Sequence, residues 1–322
     1  MKKIAFSCGD PAGIGIEVIF KALNSFNSPL PFIPVLFGSK CLFEQDFIKG
    51  LYHNHILKKW VSGSEKEGFI YWSDVYDLDQ IEIAKSTQNQ GKAQAAYIKA
   101  AVSAVLSKQC DALVTAPINK HALHLANEPY LDHTSMLKFL CGVSKVNMAF
   151  YSSCLSVVLA TVHCPLKEVP RLIKQPDLLK NTFLNAIDFV QNFSPNQVRI
   201  AVAGLNPHAG EKGLFGDEED KFIAPYIHEF SSKNVQLSGP FSPDTVFRDA
   251  VNGHYDCVIA MYHDQGLIPL KLLAFDEAVN VTLGLPFVRC SPDHGTAYDI
   301  VGKNVANPFS MKAAIDYVLK TF

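Results

Sequence analysis

No apolar run in the 322 residues approaches the ~20 needed to cross a bilayer, so a membrane-spanning helix is not expected. Charge of one sign is not in excess either. The 29 Lys and Arg stand against 31 Asp and Glu, which leaves no basic footprint for nucleic acid. The eight cysteines (Cys8, Cys41, Cys110, Cys141, Cys154, Cys164, Cys257 and Cys290) include no C-x-x-C pair, and this excludes a zinc ribbon. Most sit in apolar runs, where a reduced thiol packs as a small hydrophobe. No internal repeat, low-complexity segment or Gly/Ser-rich linker marks a boundary. Lys2 and Lys3 precede a short apolar run that Asp10 and Pro11 interrupt, which is unlike a signal peptide. A cytoplasmic protein is expected. Missing too is the G-x-G-x-x-G dinucleotide fingerprint. The opening stretch CGDPAGIGIE carries Gly9, Gly13 and Gly15 as G-x-x-x-G-x-G, and the next strand-like run, FIPVLFGS, ends in Gly and Ser where that fold needs an acid.

What is present is the composition of an ordinary globular enzyme, 48% hydrophobic and 19% charged. At roughly 150 residues per domain the length implies two. Strand-length apolar runs (KIAFSCG, FIPVLFGS, CDALVTAP, VNMAFYS, SVVLATVHC, VRIAVAGLN, DCVIAMYHD and AVNVTLGLP) alternate with helical patterns. Helices are predicted over 16–25, 92–109, 134–141, 178–193, 218–232, 245–251 and 311–322. Near-continuous apolar strands alternating with helices predict an α/β fold with a largely parallel sheet covered on both faces. Ala95, Ile98, Val102 and Val105 form one helical stripe that should pack on that sheet.

The polar motifs TAPINK, HCPL, NPHAGE and YHDQG each follow a strand-like run. In open α/β sheets ligands bind beyond the carboxyl ends of strands, so four such clusters point to one shared site. Three of them carry a histidine: His163, His208 and His263. Imidazole is a good ligand for zinc and similar ions, and three protein ligands with an open position is the catalytic arrangement. Each alone is also compatible with an ordinary hydrogen-bonded strand end. Asp264 beside His263 and Glu211 after His208 are candidate supporting acids. In LDHTSML, His133 and Thr134 open a predicted helix that Asp132 or Thr134 could cap. A helix start favours an anion, although capping alone would explain the residues. Lys271, Asn280 and Arg289 lie in one C-terminal stretch and together suggest an anionic substrate, while each singly reads as a surface charge.

The blocks GDPAGIGIE, TAPINK, NPHAGE, GPFSPDTVF, YHDQGLIPLK and VNVTLGLPFVRCSPDHGTA closely resemble the 4-hydroxythreonine-4-phosphate dehydrogenases of pyridoxal phosphate biosynthesis, from Ile4 to the end of the chain. The resemblance implies NAD-dependent oxidation of 4-phosphooxy-L-threonine to 2-amino-3-oxo-4-phosphooxybutanoate, which decarboxylates to 3-amino-2-oxopropyl phosphate. It implies His163, His208 and His263 as ligands of zinc, magnesium or cobalt. His133, Thr134, Lys271, Asn280 and Arg289 are implied as substrate contacts, with Asp244 and Asp264 supporting the site. A homodimer with the site at its interface is implied as well. The family often has Gly before the His-Thr pair and Glu after it, where Asp132 and Ser135 stand here, and often Pro where Ile16 stands.

The segment DHGTAYDIVGKNVANP, residues 293–308, looks like the adenosine-binding loop of isopropylmalate and isocitrate dehydrogenases, although it could be only a turn-rich connection. The likeness implies NAD contacts from His294, Gly295, Asp299, Ile300 and Asn307, with Asp299–Ile300 matching NAD-using members. It also implies their fold: two α/β subdomains sharing a largely parallel sheet, with a cleft between them. Residues 1–125 with 285–322 would bind cofactor, and 126–284 would bind metal and substrate and form the dimer. The opening CGDPAGIGIE then resembles the GDGIGPE turn of the isopropylmalate dehydrogenases and is expected to line the cleft near the nicotinamide, with Asp10 and Glu17 as candidate cleft residues and Glu17 as readily a first-turn helix residue. The rival readings are a paralogue acting on D-threonate or D-erythronate 4-phosphate, a zinc hydrolase or aldolase without a dinucleotide, and a phosphometabolite sensor.

Overall fold

A computed structural model of the chain describes residues 1–52, 55–130, 132–194 and 196–322; Leu131 of LDHTSML lies outside the described residues. Its strands are β1 (Lys3–Ser7), β2 (Ile33–Gly38), β3 (Ile56–Lys59), β4 (Phe69–Asp74), β5 (Ala112–Thr115), β6 (Asn147–Tyr151), β7 (Val157–Leu159), β8 (Val198–Ala203), β9 (Val235–Phe241), β10 (Cys257–Ala260), β11 (Val279–Leu283) and β12 (Val288–Pro292). Two compact units divide the chain, Met1–Ser144 with Leu285–Lys320, and Lys145–Gly284.

In the first unit the strands run β3-β4-β2-β1-β5-β12, every pair parallel. The expected stripe Ala95, Ile98, Val102 and Val105 is buried in its core, on a helix spanning Gln88–Leu106. That helix starts earlier than its apolar pattern because the Thr87 side chain accepts from the Gln90 N–H and sets the first turn. Fully burying a side chain such as Ile98 stabilises by roughly 1.5–3 kcal/mol. Helix His133–Cys141, which the sequence groups with the later subdomain, belongs to this unit. Its Met136 and Leu137 sit in the same core as the stripe.

In the second unit the order is β11-β6-β7-β10-β8-β9. β6 is antiparallel to both β7 and β11, and the remaining pairs are parallel. Adjacent parallel strands β7, β10 and β8 therefore end on one edge, each followed by one of the three histidines. Helix His263–Ala274 packs Leu267 and Leu270 into the core beneath β7 and β10. At Gly266 an added Cβ would stand 2.7 Å from Val157 and Leu159 side chains, so only glycine allows this approach. Cysteine use differs from expectation in degree. All eight are free, but only Cys8, Cys110, Cys257 and Cys290 are buried, and Cys154 is exposed. Among the described residues no helix is long and apolar enough to cross a membrane.

Candidate active site

The ends of β7 and β10 are sewn together. Ala160 N–H donates to the Ala260 carbonyl at 2.8 Å, and the Thr161 hydroxyl donates to the Met261 carbonyl at 2.7 Å. This brings His163 and His263 side by side, with ring centroids 5.9 Å apart, at a cleft of about 380 Å³ that also holds Asp264, Tyr262 and Leu166. Two imidazoles sharing one ion through nitrogens ~2.0–2.1 Å away have ring centres roughly 5–6 Å apart, so the pair fits a divalent metal. His263 is the first residue of its helix rather than a strand end. Its Nδ1 meets Asp264 Oδ1 at 2.7 Å, and with Nδ1 as donor the Nε2 lone pair is left for a ligand. Gln265, which sequence reasoning passed over, fixes this helix start. Its Oε1 accepts from Met261 N–H at 2.6 Å and its Nε2 donates to the Gly204 carbonyl at 2.8 Å, joining the ends of β10 and β8.

His208 is not brought into this pair: among the described residues no group of three His, Cys, Asp or Glu side chains can hold an ion within one chain. It stands against Phe215, ring centroids 6.4 Å apart. Asp244 lies below the usual carboxylate range, mainly through the Ser242 hydroxyl that donates to it at 2.6 Å, with a smaller pull from His208. The backbone at His208 is unusual. His208, Ala209, Gly210, Glu211 and Lys212 have φ of 51°, 51°, 80°, 42° and 55°, a continuous left-handed turn. Such a conformation costs about 1–2 kcal/mol per non-glycine residue, so its surroundings must hold it. Glu211, the candidate acid after His208, is one of these left-handed residues. Lys271 lies over the Phe275 ring at 5.7 Å, and Asn280, in β11, pairs with Phe150 of β6.

In the first unit, Arg289 lies in a strand of its own, apart from the expected AVNVTLGLP run. β11 stops at Leu283, and Arg289 is the second residue of β12, opposite Leu113 of β5. It is 3% exposed, and its Nη2 donates to Thr115 Oγ1 at 2.5 Å. Burial pulls its pKa down to about 10. Asp132 and Ser135 form a capping box at the helix start: Asp132 Oδ1 accepts from the Ser135 N–H at 2.8 Å, and Ser135 Oγ accepts from the Asp132 N–H at 3.1 Å. Capping therefore falls to Asp132, and Thr134 lies within the first turn. His133 is half-buried, yet its Nε2 is shut off from solvent without a hydrogen-bond partner among the described residues. That desolvation, with the charges of Arg289 and Lys120, holds its pKa well below 6.5. The folded ring refuses a proton that the unfolded chain accepts. Stability is thus full above pH 6.5 and falls as pH drops below it, by at most about 1.4 kcal/mol per pH unit. Thermal melts from about pH 7.5 to about 5.5 should show this slope, and His133→Asn should flatten it.

The opening loop and the 293–307 segment are laced together within this unit. The Tyr298 hydroxyl donates to Asp10 Oδ2 and accepts from Asn119 Nδ2 at 2.9 Å. Ile14 N–H donates to the Thr296 carbonyl at 3.1 Å, and an added Cβ at Gly13 would stand 2.9 Å from that oxygen. Glu17 Oε1 accepts from Lys21 at 2.8 Å and from the Ala306 N–H at 3.0 Å. Asp10 and Glu17, each 1% exposed, are accordingly fastenings and not cleft residues. Burial raises Asp10 despite the bonds from Tyr298 and Ala12. Along the segment, Asp299 and Gly295 are exposed, Ile300 is half-buried, and Asn307 Oδ1 accepts from the Phe309 N–H at 2.9 Å. His294 Nδ1 donates to the Gly295 carbonyl at 3.0 Å, while its Nε2 is buried with no partner among the described residues. An orphaned acceptor on an anchored loop fits a dinucleotide that brings its own donor.

Residues 32–318 match the family model described as pyridoxal phosphate biosynthetic protein PdxA. The chain belongs to the PdxA family. It is 41% identical over 321 residues to a 4-hydroxythreonine-4-phosphate dehydrogenase of Sulfurihydrogenibium sp., covering 99% of this chain and 98% of that protein. It is 38% identical over 332 residues to a D-threonate 4-phosphate dehydrogenase of Salmonella typhimurium, covering 99% and 98%. The crystal structure of a 4-hydroxythreonine-4-phosphate dehydrogenase from Klebsiella pneumoniae superposes with a TM-score of 0.87 at 36% identity, covering 100% of this chain and 99% of that one. PdxA membership makes the chain a dehydrogenase, and the α/β class expected from the sequence is the one observed.

Proposed function

We propose that the chain is a metal- and NAD-dependent dehydrogenase that oxidises the secondary alcohol of 4-phosphooxy-L-threonine in the cytoplasm, the 3-oxo acid then losing carbon dioxide. The observation that carries the metal reading is the His163–His263 pair, with Asp264 fixing the imidazole that faces the cleft. When bound, a divalent ion supplies Lewis acidity toward the substrate hydroxyl and the dinucleotide supplies the hydride acceptor. His163 and His263 hold the ion from one copy. His208, exposed and away from them, serves as third ligand in a second copy, with Asp244 beside it. The apolar stripe Ile268, Leu272 and Phe275 on the helix that begins at His263 is exposed, 81% at Leu272, and supports a homodimer at this surface. His133, Thr134, Lys271, Asn280 and Arg289 are the substrate contacts on this reading. Arg289 supplies a desolvated cation for an anionic group, and His133 a neutral imidazole.

For NAD, His294, Gly295, Asp299, Ile300 and Asn307 form the binding segment. The exposed Asp299 carboxylate can accept from a ribose 2′-hydroxyl and repels a 2′-phosphate. Asp299→Lys should narrow the NAD over NADP preference by roughly tenfold or more, about 1.4 kcal/mol, read as the ratio of kcat/KM values. Comparable efficiency of the unaltered protein with both cofactors would remove the NAD assignment. The overall reading is tested by NADH formation from 4-phosphooxy-L-threonine with and without chelator. No signal with metal present, or full activity after chelation, overturns it. D-threonate 4-phosphate belongs in the same assay, because a relative so named matches over nearly the whole chain.

A further inference from the structure

We infer that Glu219 is a positioning residue for the metal site: its carboxylate holds the left-handed turn that presents His208. The inference rests on the metal reading above only for its consequence; the fastening itself stands on geometry within the second unit. Glu219 looks like one acid among several in GDEED, yet it is 2% exposed. It opens a single π-helical turn, Glu219–Ile223, which aims it back at the chain leaving β8. Its Oε1 accepts from the Leu205 and Asn206 N–H groups at 2.8 and 2.7 Å, and its Oε2 accepts from Asn206 Nδ2 at 3.1 Å.

The surrounding backbone is shaped to this carboxylate. An added Cβ at Gly204 would stand 3.1 Å from Oε1, and one at Gly210 would stand 2.8 Å from Oε2. Gly210, at φ 80°, is the centre of the left-handed turn. Asn206 precedes the turn, and its carbonyl accepts from the Ala209 N–H at 3.1 Å. The carboxylate thus grips the residues just before the turn and packs against its middle. Four non-glycine residues at positive φ around Gly210 do not persist unless their neighbours over-determine them, and this side chain is in place to do so, with Glu218 adding a bond from Asn206 Nδ2 at 3.0 Å. His208 is exposed and at the first strained position, so its direction depends on that grip.

The test compares wild type, Glu219→Gln and His208→Ala by amide hydrogen exchange of residues 205–216 in metal-free protein and by equilibrium dialysis against cobalt or zinc. Glu219→Gln should exchange at least about tenfold faster across this segment, with protection elsewhere retained. Its metal dissociation constant should rise by about 10–100-fold. Excess metal should restore kcat, which a general loss of fold would not allow, and KM for NAD should stay within about twofold. His208→Ala should lose metal while leaving Glu219's grip, and therefore the exchange pattern, largely intact. A folded Glu219→Gln protein with wild-type exchange and wild-type metal affinity overturns the inference. If that variant does not fold, Asn206→Asp, which sets a second carboxylate against Glu219, takes its place, and wild-type values there overturn it equally. If wild type binds neither metal, the metal reading fails while the exchange comparison still decides what Glu219 holds.

Discussion

Alanine in place of His263 is expected to lower kcat/KM by about 10³-fold or more, the order lost when a group that stabilises developing charge is removed, while leaving the melting temperature nearly unchanged. The two halves of this expectation have separate causes. His263 is 40% exposed at a helix start, so its loss opens no core cavity. The core beneath is made by Leu267 and Leu270, which the substitution does not touch. On the proposed metal reading, function depends on the pair that His263 forms with His163, and its loss leaves two of the three proposed ligands. Asp264→Asn should be milder, about 10–100-fold, because it loosens the ring rather than deleting it. Steady-state kinetics at saturating metal, paired with thermal melts, check both variants. Unchanged kcat/KM in folded His263→Ala would falsify the metal role.

The second large effect belongs to Arg289. Arg289→Met should lower kcat/KM by about 10²–10³-fold, the scale for deleting one partner of a desolvated charge pair, mostly through KM for the phosphorylated substrate. Stability should hold or rise. Burial costs this cation enough to pull its pKa to about 10, and an apolar side chain of similar volume removes that cost. The hydroxyl of Thr115 loses a donor, a smaller penalty. Lysine should not restore activity, since a point charge on a flexible stem lacks the planar fork. A variant less active and no less stable is the signature of a side chain kept for ligand binding. A drop in stability with unchanged KM would instead make Arg289 a structural residue.

What could be read from the sequence follows from where burial is two-sided. KIAFSCG and FIPVLFGS predict β1 and β2 because both strands are almost wholly buried. The sequence ILKK of β3 gives no such signal, since three of its four residues are exposed at the sheet edge. β9, VQLSGPF, alternates weakly and contains Gly and Pro. Helix His263–Ala274 hides behind Pro269 in its interior and behind the run DCVIAMYHD, which carries the strand pattern on to Asp264. The histidines were legible as motif residues at strand ends and were expected to share one site; the structure brings His163 and His263 together through the Thr161 and Ala160 bonds between separate strand ends. The turn at His208 was beyond reach for a plainer reason: His, Ala, Glu and Lys do not announce positive φ. Asp10 and Glu17 were noticed for the right loop, and Glu17 does lie in the first helical turn, but their burial cannot be told from a glycine-rich context alone.

The division of the chain has a consequence for synthesis on the ribosome. The second unit closes on itself: at Gly284 an added Cβ would stand 2.8 Å from the Lys145 carbonyl, so the segment leaves where it entered. The whole of this segment has been synthesised once Gly284 is made. The first unit, begun earlier, lacks β12 on β5 and the helix Phe309–Lys320 until residues 288–320 appear. The later-made unit can therefore finish first, while β5 waits with an open flank. An open strand flank is where nascent chains pair wrongly with one another, so slowing translation after residue 284 should lower the soluble yield more than slowing it before residue 145.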